Sequence, residues 1–152
     1  MQPPALQLGT FGFHNIDRGT FLSVAGDICK YAPVELQQLH QGEEWQEWQV
    51  QEGRIVSTVD PSLCLGVRKI SEGDRIIMVG LEDKNALQWR WGHDDSDLDE
   101  CGKHNGDSVV CVQDASLRLG PVKGSRCGLE LQKPSEQGQL WEKTEVKHIL
   151  ST

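Results

Sequence analysis

Acidic side chains occupy alternate positions from Asp95 to Asp99, an arrangement that calcium loops use to surround the ion with carboxylates. The sixth position of such a loop requires a glycine for its sharp turn, and here it holds Glu100. No glutamate follows at the spacing of the last, bidentate ligand. We therefore interpret this segment as a solvated acidic loop rather than a calcium site.

Other side chains that could ligate a metal or attack a substrate have spacings that fit neither chemistry. Four candidate zinc ligands match no standard zinc motif. They are His93, Cys101, His104 and Cys111. Ser108 follows Gly106-Asp107 in the manner of a serine nucleophile, but Val109 stands where that motif requires a glycine. The sequence therefore predicts no metal, no cofactor and no enzyme, and it favours a binding function.

The elements that must position any binding residue come from a pattern that the chain repeats three times. Each copy has an Asp, then an aliphatic pair, then two alternating aliphatic residues, and finally a tryptophan. The tryptophans are Trp48, Trp89 and Trp141, at intervals of 41 and 52 residues. A glutamine, Gln46 or Gln139, stands two places before the tryptophan in the first and third copies, and Leu87 takes that place in the second.

Short segments of alternating apolar and polar residues, separated by turns rich in Gly, Asp and Pro, predict about four strands in each copy. The chain is therefore predicted to be all-β, a β-trefoil of three pseudo-repeats in a single domain over 1–152. The repeats are expected at about 9–53, 54–93 and 108–145, with an exposed acidic loop insertion at about 92–108. Residues 35–49 have a helix-forming composition, but their counterparts are β-rich, so we predict that the repeat pattern overrides propensity there.

Net charge narrows the class of partner. With 15 basic and 23 acidic residues the formal charge is −8, which disfavours nucleic acid and an anionic membrane surface. No apolar run approaches the roughly 20 residues of a membrane span. Residues 1–4 lack the basic and apolar parts of a signal peptide, so we expect a cytoplasmic protein without membrane insertion.

The five cysteines are expected to be reduced in that compartment. Their number is odd, and their spacing forms no redox or metal pair. Cys64 and Cys111 fall on predicted strands, so we interpret them as small buried apolar residues. The sequence leaves open a disulfide between Cys111 and Cys127.

Several stretches resemble the ricin-B-like (QxW) β-trefoil lectin family. They are the two Gln-x-Trp motifs at 46–48 and 139–141, the stretch 64–67, and the Gly-Thr-Phe arrangement within 9–22, which looks most like fungal cytoplasmic members. The resemblance covers about 9–145. It implies a non-enzymatic carbohydrate-binding protein, a lectin, whose partners are glycans of glycoproteins or glycolipids.

The positions that bind galactose in that family hold other residues here. The family's Asp between the aliphatic pair is replaced by Ser23, Gly66 and Gly120. The family's Asn before the glutamine is replaced by Trp45, Ala86 and Gly138. The nearest candidates for the aromatic platform are His40, Leu81 and Pro134. The resemblance therefore implies a degenerate site rather than a standard galactose site.

The first repeat keeps the most side chains that could hold a sugar, which needs a flat platform beside fixed donors and acceptors. They are Asp27 as an acceptor, His40 as a donor or platform, Trp45 as a ring and Gln46 as an amide. We predict these four as the carbohydrate-binding residues. Trp91 and His93 form a second candidate surface, although the alternation of Trp91 with Trp89 is also typical of a core residue.

Two other functions remain open at this stage. A β-trefoil protease inhibitor would act through an exposed loop, for which the insertion at 92–108 is the natural candidate. A trefoil can also serve as a docking module for a partner protein. The sequence leaves the oligomeric state open, with a homodimer as one arrangement.

Overall fold

Segments with a period-two apolar pattern form strands because successive side chains of a strand point to opposite faces of the sheet. The computed structural model describes residues 10–40, 43–92, 98, 106–135 and 138–145. Within these ranges twelve strands fall into three sets of four. This arrangement is the β-trefoil that the repeats predict.

Each set of strands belongs to one repeat. The first set is β1 (Phe11–Asn15), β2 (Thr20–Val24), β3 (Val34–Gln37) and β4 (Trp48–Gln51). The second set is β5 (Arg54–Ser57), β6 (Leu63–Gly66), β7 (Ile77–Gly80) and β8 (Trp89–Trp91). The third set is β9 (Val109–Cys111), β10 (Arg118–Pro121), β11 (Leu129–Gln132) and β12 (Trp141–Glu145).

The first and fourth strands of the sets build a barrel. Strand β1 pairs antiparallel with β12, from Phe11 opposite Glu145 to Asn15 opposite Trp141. Strand β1 also meets β4, β4 pairs with β5, and β8 pairs with β9. The N–H of Trp89 donates to the C=O of Gly53 at 2.8 Å, which connects β8 to the β4–β5 turn and continues the ring.

The second and third strands form three hairpins, β2–β3, β6–β7 and β10–β11. Single bridges join the hairpin regions, with Pro33 opposite Ile77, Arg75 opposite Glu130, and Glu35 opposite Gly128. These three bridges link each repeat to both others. The hairpins therefore form a triangular layer on which loops from different repeats lie close together.

The core contains one equivalent tryptophan from each repeat. Trp48, Trp89 and Trp141 are each at most 2% exposed. A ring of this size buries about 150–250 Å², which corresponds to about 4–6 kcal/mol before the entropy cost. Nε1 of Trp48 donates to the C=O of Leu22 at 3.0 Å, and Nε1 of Trp141 donates to Leu119 at 3.2 Å. These two rings therefore tie their barrel strands to the hairpins of the first and third repeats.

Trp91 is a further core ring, and the hypothesis that it forms a binding surface is wrong. Its side chain is fully buried, and its ring centroid lies 6.3 Å from that of Phe13. Nε1 of Trp91 donates to the C=O of Leu98 at 2.7 Å. His93, the other member of that candidate surface, lies outside the described residues.

The acidic insertion returns to the core at Leu98. The Leu98 side chain is buried in the same cluster as Trp91, so the expectation of a wholly exposed loop is wrong at this residue. Its aliphatic side chain gains more from burial than from exposure to water. The remainder of 93–105, including the calcium-like acidic run and three of the four zinc candidates, lies outside the described residues.

The described residues of the segment 35–49 form strands at both of its ends, as the repeats predict, despite its helix-forming composition. Strands β3 and β4 occupy its two sides, and a single 3₁₀ turn lies at Glu44–Gln46. Cross-strand pairing of β3 with β2 outweighs local helix propensity here. Within the described ranges, no helix has the length and apolar character needed to cross a membrane.

The described cysteines all carry free thiols, including Cys111 and Cys127, for which a disulfide had been left open. Cys64 and Cys111 are buried, which confirms their interpretation as apolar core residues. Burial raises the pKa of the Cys64 thiol to about 11. That thiol therefore stays neutral near neutral pH and is a poor nucleophile.

The second repeat has a glycine that no larger residue can replace without moving β7. A Cβ at Gly66 would lie 2.5 Å from the C=O of Asn85 and against Val79. We expect Gly66→Ala to lower the free energy of unfolding by about 1–3 kcal/mol, as overpacking does. Chemical denaturation would measure the change.

Gly80→Ala is the matched control on the neighbouring strand. A Cβ at Gly80 would meet nothing closer than Lys30 Cε at 3.8 Å, so the free energy of unfolding should change by less than about 0.5 kcal/mol. Equal effects of the two substitutions would contradict the packing at Gly66.

Candidate functional site

A buried glutamine braces the first repeat where the sequence predicts a binding site. Gln46 is 3% exposed, and its Nε2 donates to Ser23 Oγ at 3.1 Å and to the C=O of Gln38 at 2.7 Å. Its Oε1 accepts a hydrogen bond from the backbone N–H of His40 at 2.7 Å. Since both amide hydrogens are engaged, Gln46 positions the loop that carries His40. We call such a buried glutamine, with its hydrogen bonds to the loop after the hairpin, the brace of a repeat.

The structure brings three of the four predicted binding residues together. The ring centroids of His40 and Trp45 lie 6.3 Å apart with a tilt of 53°. His40 is exposed, whereas Trp45 is half-buried and packs against the core. Asp27 is exposed in the β2–β3 connection, and no hydrogen bond among the described residues joins it to the other three. The first repeat therefore offers a shallow aromatic surface held by Gln46.

The third repeat contains the same brace. Nε2 of buried Gln139 donates to Gln132 Oε1 at 2.9 Å and to the C=O of Lys133 at 2.9 Å. Oε1 of Gln139 accepts from the N–H of Ser135 at 2.9 Å. The chain segment after β11 is thus held against the end of the hairpin, in the same manner as the segment after β3.

The origin of the acceptor differs between the two braces. In the first repeat it is Ser23, which lies on β2 between Leu22 and Val24. In the third repeat the equivalent position is Gly120, and a Cβ there would fall on the side-chain amide of Gln132. Gln132, on the adjacent strand β11, therefore fills the space above Gly120 and supplies the acceptor.

The second repeat has no such brace. Leu87 takes the place of the glutamine, and its N–H donates to the C=O of Leu65 at 3.1 Å. Among the described residues, none accepts a hydrogen bond from Nε1 of the nearby Trp89. The space above Gly66 is filled by Val79 and the backbone of Asn85. The equivalent surface of this repeat is therefore closed and apolar.

A cleft of about 470 Å³ lies beside the brace of the third repeat. Its lining combines residues of all three repeats: Asp17, Arg18, Glu72, Pro121, Lys123, Glu130, Leu131, Gln132, Lys133, Pro134, Ser135, Gly138 and Gln139. Pro134 is exposed and gives it apolar surface, whereas Leu131 and Pro121 are buried beneath it. The remaining side chains give it fixed amides and a charged rim.

The amides of the cleft are already engaged. Gln132 Nε2 donates to the C=O of Pro121 and, at 3.1 Å, to Glu130 Oε2. Gln139 uses both of its amide hydrogens within the protein. A ligand in the cleft would therefore depend on the charged side chains for its strongest hydrogen bonds.

The rim carries three carboxylates, from Asp17, Glu72 and Glu130, and three cations, from Arg18, Lys123 and Lys133. Arg18 is oriented by a bond from its guanidinium Nη1 to the C=O of Ser125 at 2.9 Å. The cleft therefore offers both hydrogen-bond donors and acceptors beside the apolar surface of Pro134. This arrangement suits a neutral molecule with many hydroxyl groups, because each hydroxyl both donates and accepts a hydrogen bond.

Gly138 shapes the wall of the cleft. Its φ of +75° favours glycine, and a Cβ there would lie 2.8 Å from Pro121 Cγ. The C=O of Gly138 accepts a hydrogen bond at 2.8 Å from Nδ2 of Asn15, on β1. These constraints explain why no side chain projects from this position, which the lectin family fills with an asparagine.

Sequence reasoning missed the cleft because it considered each repeat by itself. Asp17 belongs to the β1–β2 turn of the first repeat, and Glu72 belongs to the β6–β7 connection of the second. Both are exposed turn residues, with no local pattern that marks them as binding residues. The retained Gln139 was the available signal that the third repeat kept an organised loop.

Among the comparisons with known proteins, the one with solved structures supports the β-trefoil fold. No family model and no curated protein matches the chain. Among solved structures, the chain is similar to the C-terminal half of an earthworm R-type lectin in complex with GalNAc, with a TM-score of 0.67 and 14% identity over 90% of this chain and 98% of that one. It is also similar to a β-trefoil lectin of a Vibrio vulnificus hemolysin with N-acetyl-D-lactosamine bound (TM-score 0.68, 18% identity, 93% and 98% covered).

A designed threefold-symmetric protein, ThreeFoil, has a TM-score of 0.71 and 17% identity over 90% of this chain and 99% of that one. At this level of identity the likenesses show the β-trefoil fold.

The brace in the first repeat can be tested by its removal. Gln46→Ala would leave the N–H of His40 and the C=O of Gln38 without their partner, so we expect the free energy of unfolding to fall by about 1–3 kcal/mol. Denaturant unfolding would measure this change. Gln51→Ala, at an exposed glutamine on β4, should change it by less than about 0.5 kcal/mol. If Gln46→Ala left the free energy of unfolding unchanged, the hydrogen bonds of Gln46 would not be what holds the loop.

Proposed function

We propose that this protein is a non-enzymatic carbohydrate-binding protein whose principal site is the cleft beside Gln139. The observation that carries the proposal is the composition of that cleft, in which three carboxylates and three cations lie together with exposed Pro134. Sugars present an apolar C–H face and a ring of hydroxyl groups, so they need this combination of surfaces.

Recognition in the cleft would rest on charge-assisted hydrogen bonds. Asp17 and Glu130 would accept protons from sugar hydroxyls, while Lys123 and Lys133 would donate to sugar oxygens. Pro134, which is exposed, would contact the C–H face. A shallow site of this kind binds with millimolar to micromolar affinity, about −4 to −8 kcal/mol.

The site is degenerate rather than a standard galactose site. Gln132 fills the space above Gly120, where the lectin family places an aspartate. Pro134, rather than an aromatic ring, is the apolar residue of the loop. The sugar would therefore lie on aliphatic surface and be held mainly by its hydroxyl groups.

The surface formed by His40 and Trp45 is proposed as a second, weaker contact for a sugar. A half-buried indole beside an imidazole offers a stacking face, and Gln46 holds the loop in place. Asp27 would contact the sugar only if the ligand extended from this surface to the β2–β3 connection. The four residues predicted from the sequence thus remain a hypothesis about this subsite.

The solved structures similar to this chain lend support, because the earthworm and Vibrio proteins are lectins in complex with sugars. The protease-inhibitor alternative stays open. It requires a protruding loop, and the one described residue of 93–105, Leu98, is buried with its C=O bound to Trp91. The cytoplasmic location stays a prediction.

A glycan array with titration of the sugars that bind would test the proposal. We expect Asp17→Asn and Glu130→Gln to weaken binding at least about tenfold each, which corresponds to about 1.4 kcal/mol for a lost charge-assisted bond. Trp45→Ala and His40→Ala should have a smaller effect. Glu82→Gln, at an exposed carboxylate of the β7–β8 connection, is the matched control and should bind like the unmodified protein.

Three results would separate the alternatives. Loss of binding only in the Trp45 and His40 variants would move the principal site to the first repeat. Equal binding by all variants would exclude both sites. A blank array at high protein concentration would overturn the carbohydrate-binding proposal, and a protease panel would then test the inhibitor alternative.

A further inference from the structure

Tyr31 adopts a backbone conformation that its residue type disfavours. Its φ is +72°, in the left-handed region, where a bulky side chain is uncommon and costs energy. Glu52 also has a positive φ, but it lies in the tight turn between β4 and β5, where that conformation is usual. Tyr31 instead lies in the longer β2–β3 connection, and its side chain is 50% exposed.

Three backbone hydrogen bonds hold Tyr31 in this conformation. Its N–H donates to the C=O of Met78 at 2.6 Å, and the N–H of Met78 donates to the C=O of Ala32 at 2.9 Å. The N–H of Ala32 closes a turn on Cys29 at 3.1 Å. The connection is thus fixed to β7 of the second repeat, and the fixed backbone presents the tyrosine ring at the surface.

A guanidinium from the second repeat lies over the same ring. Arg68 Cζ is 5.6 Å from the Tyr31 ring centroid, which is within cation–π distance. The backbone of this arginine is also held in place. One carboxylate oxygen of Asp74 accepts from the N–H groups of Arg68 and Lys69 at 3.0 and 2.9 Å, and Asn85 Nδ2 donates to the C=O of Arg68 at 2.6 Å.

Two lysines are the chain neighbours of Tyr31 and Arg68. Lys30 precedes Tyr31 and extends toward Gly80, and Lys69 follows Arg68. None of the ion pairs found among the described residues involves these three cations. Three cations and the Asp74 carboxylate, which binds the N–H groups of Arg68 and Lys69, thus belong to the two segments that meet at this exposed ring, a local excess of positive charge in a chain whose formal charge is −8. We call Tyr31, Lys30, Arg68 and Lys69 the tyrosine patch.

We infer that the tyrosine patch is a binding site for an acidic sugar residue, one that carries a carboxylate on its pyranose ring. Arg68 lies over one face of the tyrosine ring, so the C–H face of the sugar would stack on the opposite face, and the tyrosine hydroxyl can donate or accept a hydrogen bond. Arg68 can bind a carboxylate with two parallel hydrogen bonds, and Lys30 adds a second donor. The patch shares no residue with the cleft of the third repeat.

The charge of the whole protein limits the ligand to a short one. Three cations can neutralise one or two anionic groups, whereas the remaining surface repels a long polyanion. A single terminal uronate or similar sugar fits this balance better than a nucleic acid or a heavily sulfated polymer.

The test compares the binding of methyl glucuronide with that of methyl glucoside. The glucuronide carries a carboxylate where the glucoside carries a hydroxymethyl group. Isothermal titration of the full chain at low salt should show the glucuronide binding about tenfold more tightly, as expected for one charge-assisted contact. High salt should remove most of this preference, since the patch is exposed.

Tyr31→Gly and Arg68→Gln should each abolish the preference for the glucuronide. The glycine variant is informative because glycine adopts a positive φ readily, so its melting temperature should not fall while its binding is lost. Arg126→Gln removes an exposed arginine from the third repeat and should leave the preference unchanged.

Four results would overturn the inference: no measurable binding of the glucuronide, equal binding of the two sugars, a preference that survives Tyr31→Gly, or equally tight binding of a short glutamate peptide. A glucuronide preference lost in Asp17→Asn but kept in Tyr31→Gly would reject the tyrosine patch and support the cleft. A blank result for neutral sugars in the cleft would leave the glucuronide comparison unaffected.

Discussion

The fold depends on the removal of three equivalent indole rings from water at the centre of the molecule. Trp48, Trp89 and Trp141 each begin the last strand of a repeat and pack against the hairpins. Two of them also donate to a backbone carbonyl of their own hairpin, which fixes the distance between barrel and hairpin. Because apolar burial supplies most of the folding free energy, the loops outside this core can vary without loss of the fold.

The loops and the residues that hold them differ among the three repeats. The second repeat has Leu87 at the position of the glutamine. Val79 and the backbone of Asn85 fill the space above Gly66, so the equivalent surface of this repeat is closed. The first and third keep a glutamine whose polar atoms hold a loop in place. A buried amide with all of its hydrogens engaged is rigid, and a rigid loop can present neighbouring side chains at low entropic cost. The differences between the repeats therefore determine the binding specificity of the surface.

Much of the architecture could be predicted from the sequence, because both the apolar alternation and the tryptophan positions recur. The strands at the two ends of 35–49 are predictable only from the counterparts of this segment in the other repeats, because its own composition favours a helix. The cleft could not be predicted in this way, since Asp17 and Glu72 reach it through the contact between repeats. The burial of Leu98 was equally hidden, because an isolated leucine in an acidic run carries no periodicity. The conformation of Tyr31 follows from its bonds to Met78, which no local pattern reveals.

The closure of the barrel by β1 and β12 has a kinetic consequence. His14 and Glu142 are 128 residues apart in sequence, yet their side chains meet at 2.9 Å. Nearly the whole loop entropy of the chain must be lost before this pairing is formed, so the topology has a high contact order and should fold slowly. The pairing also places the two outermost strands side by side. A circular permutant that joined them through a short linker would convert the most distant contact of the fold into a local one.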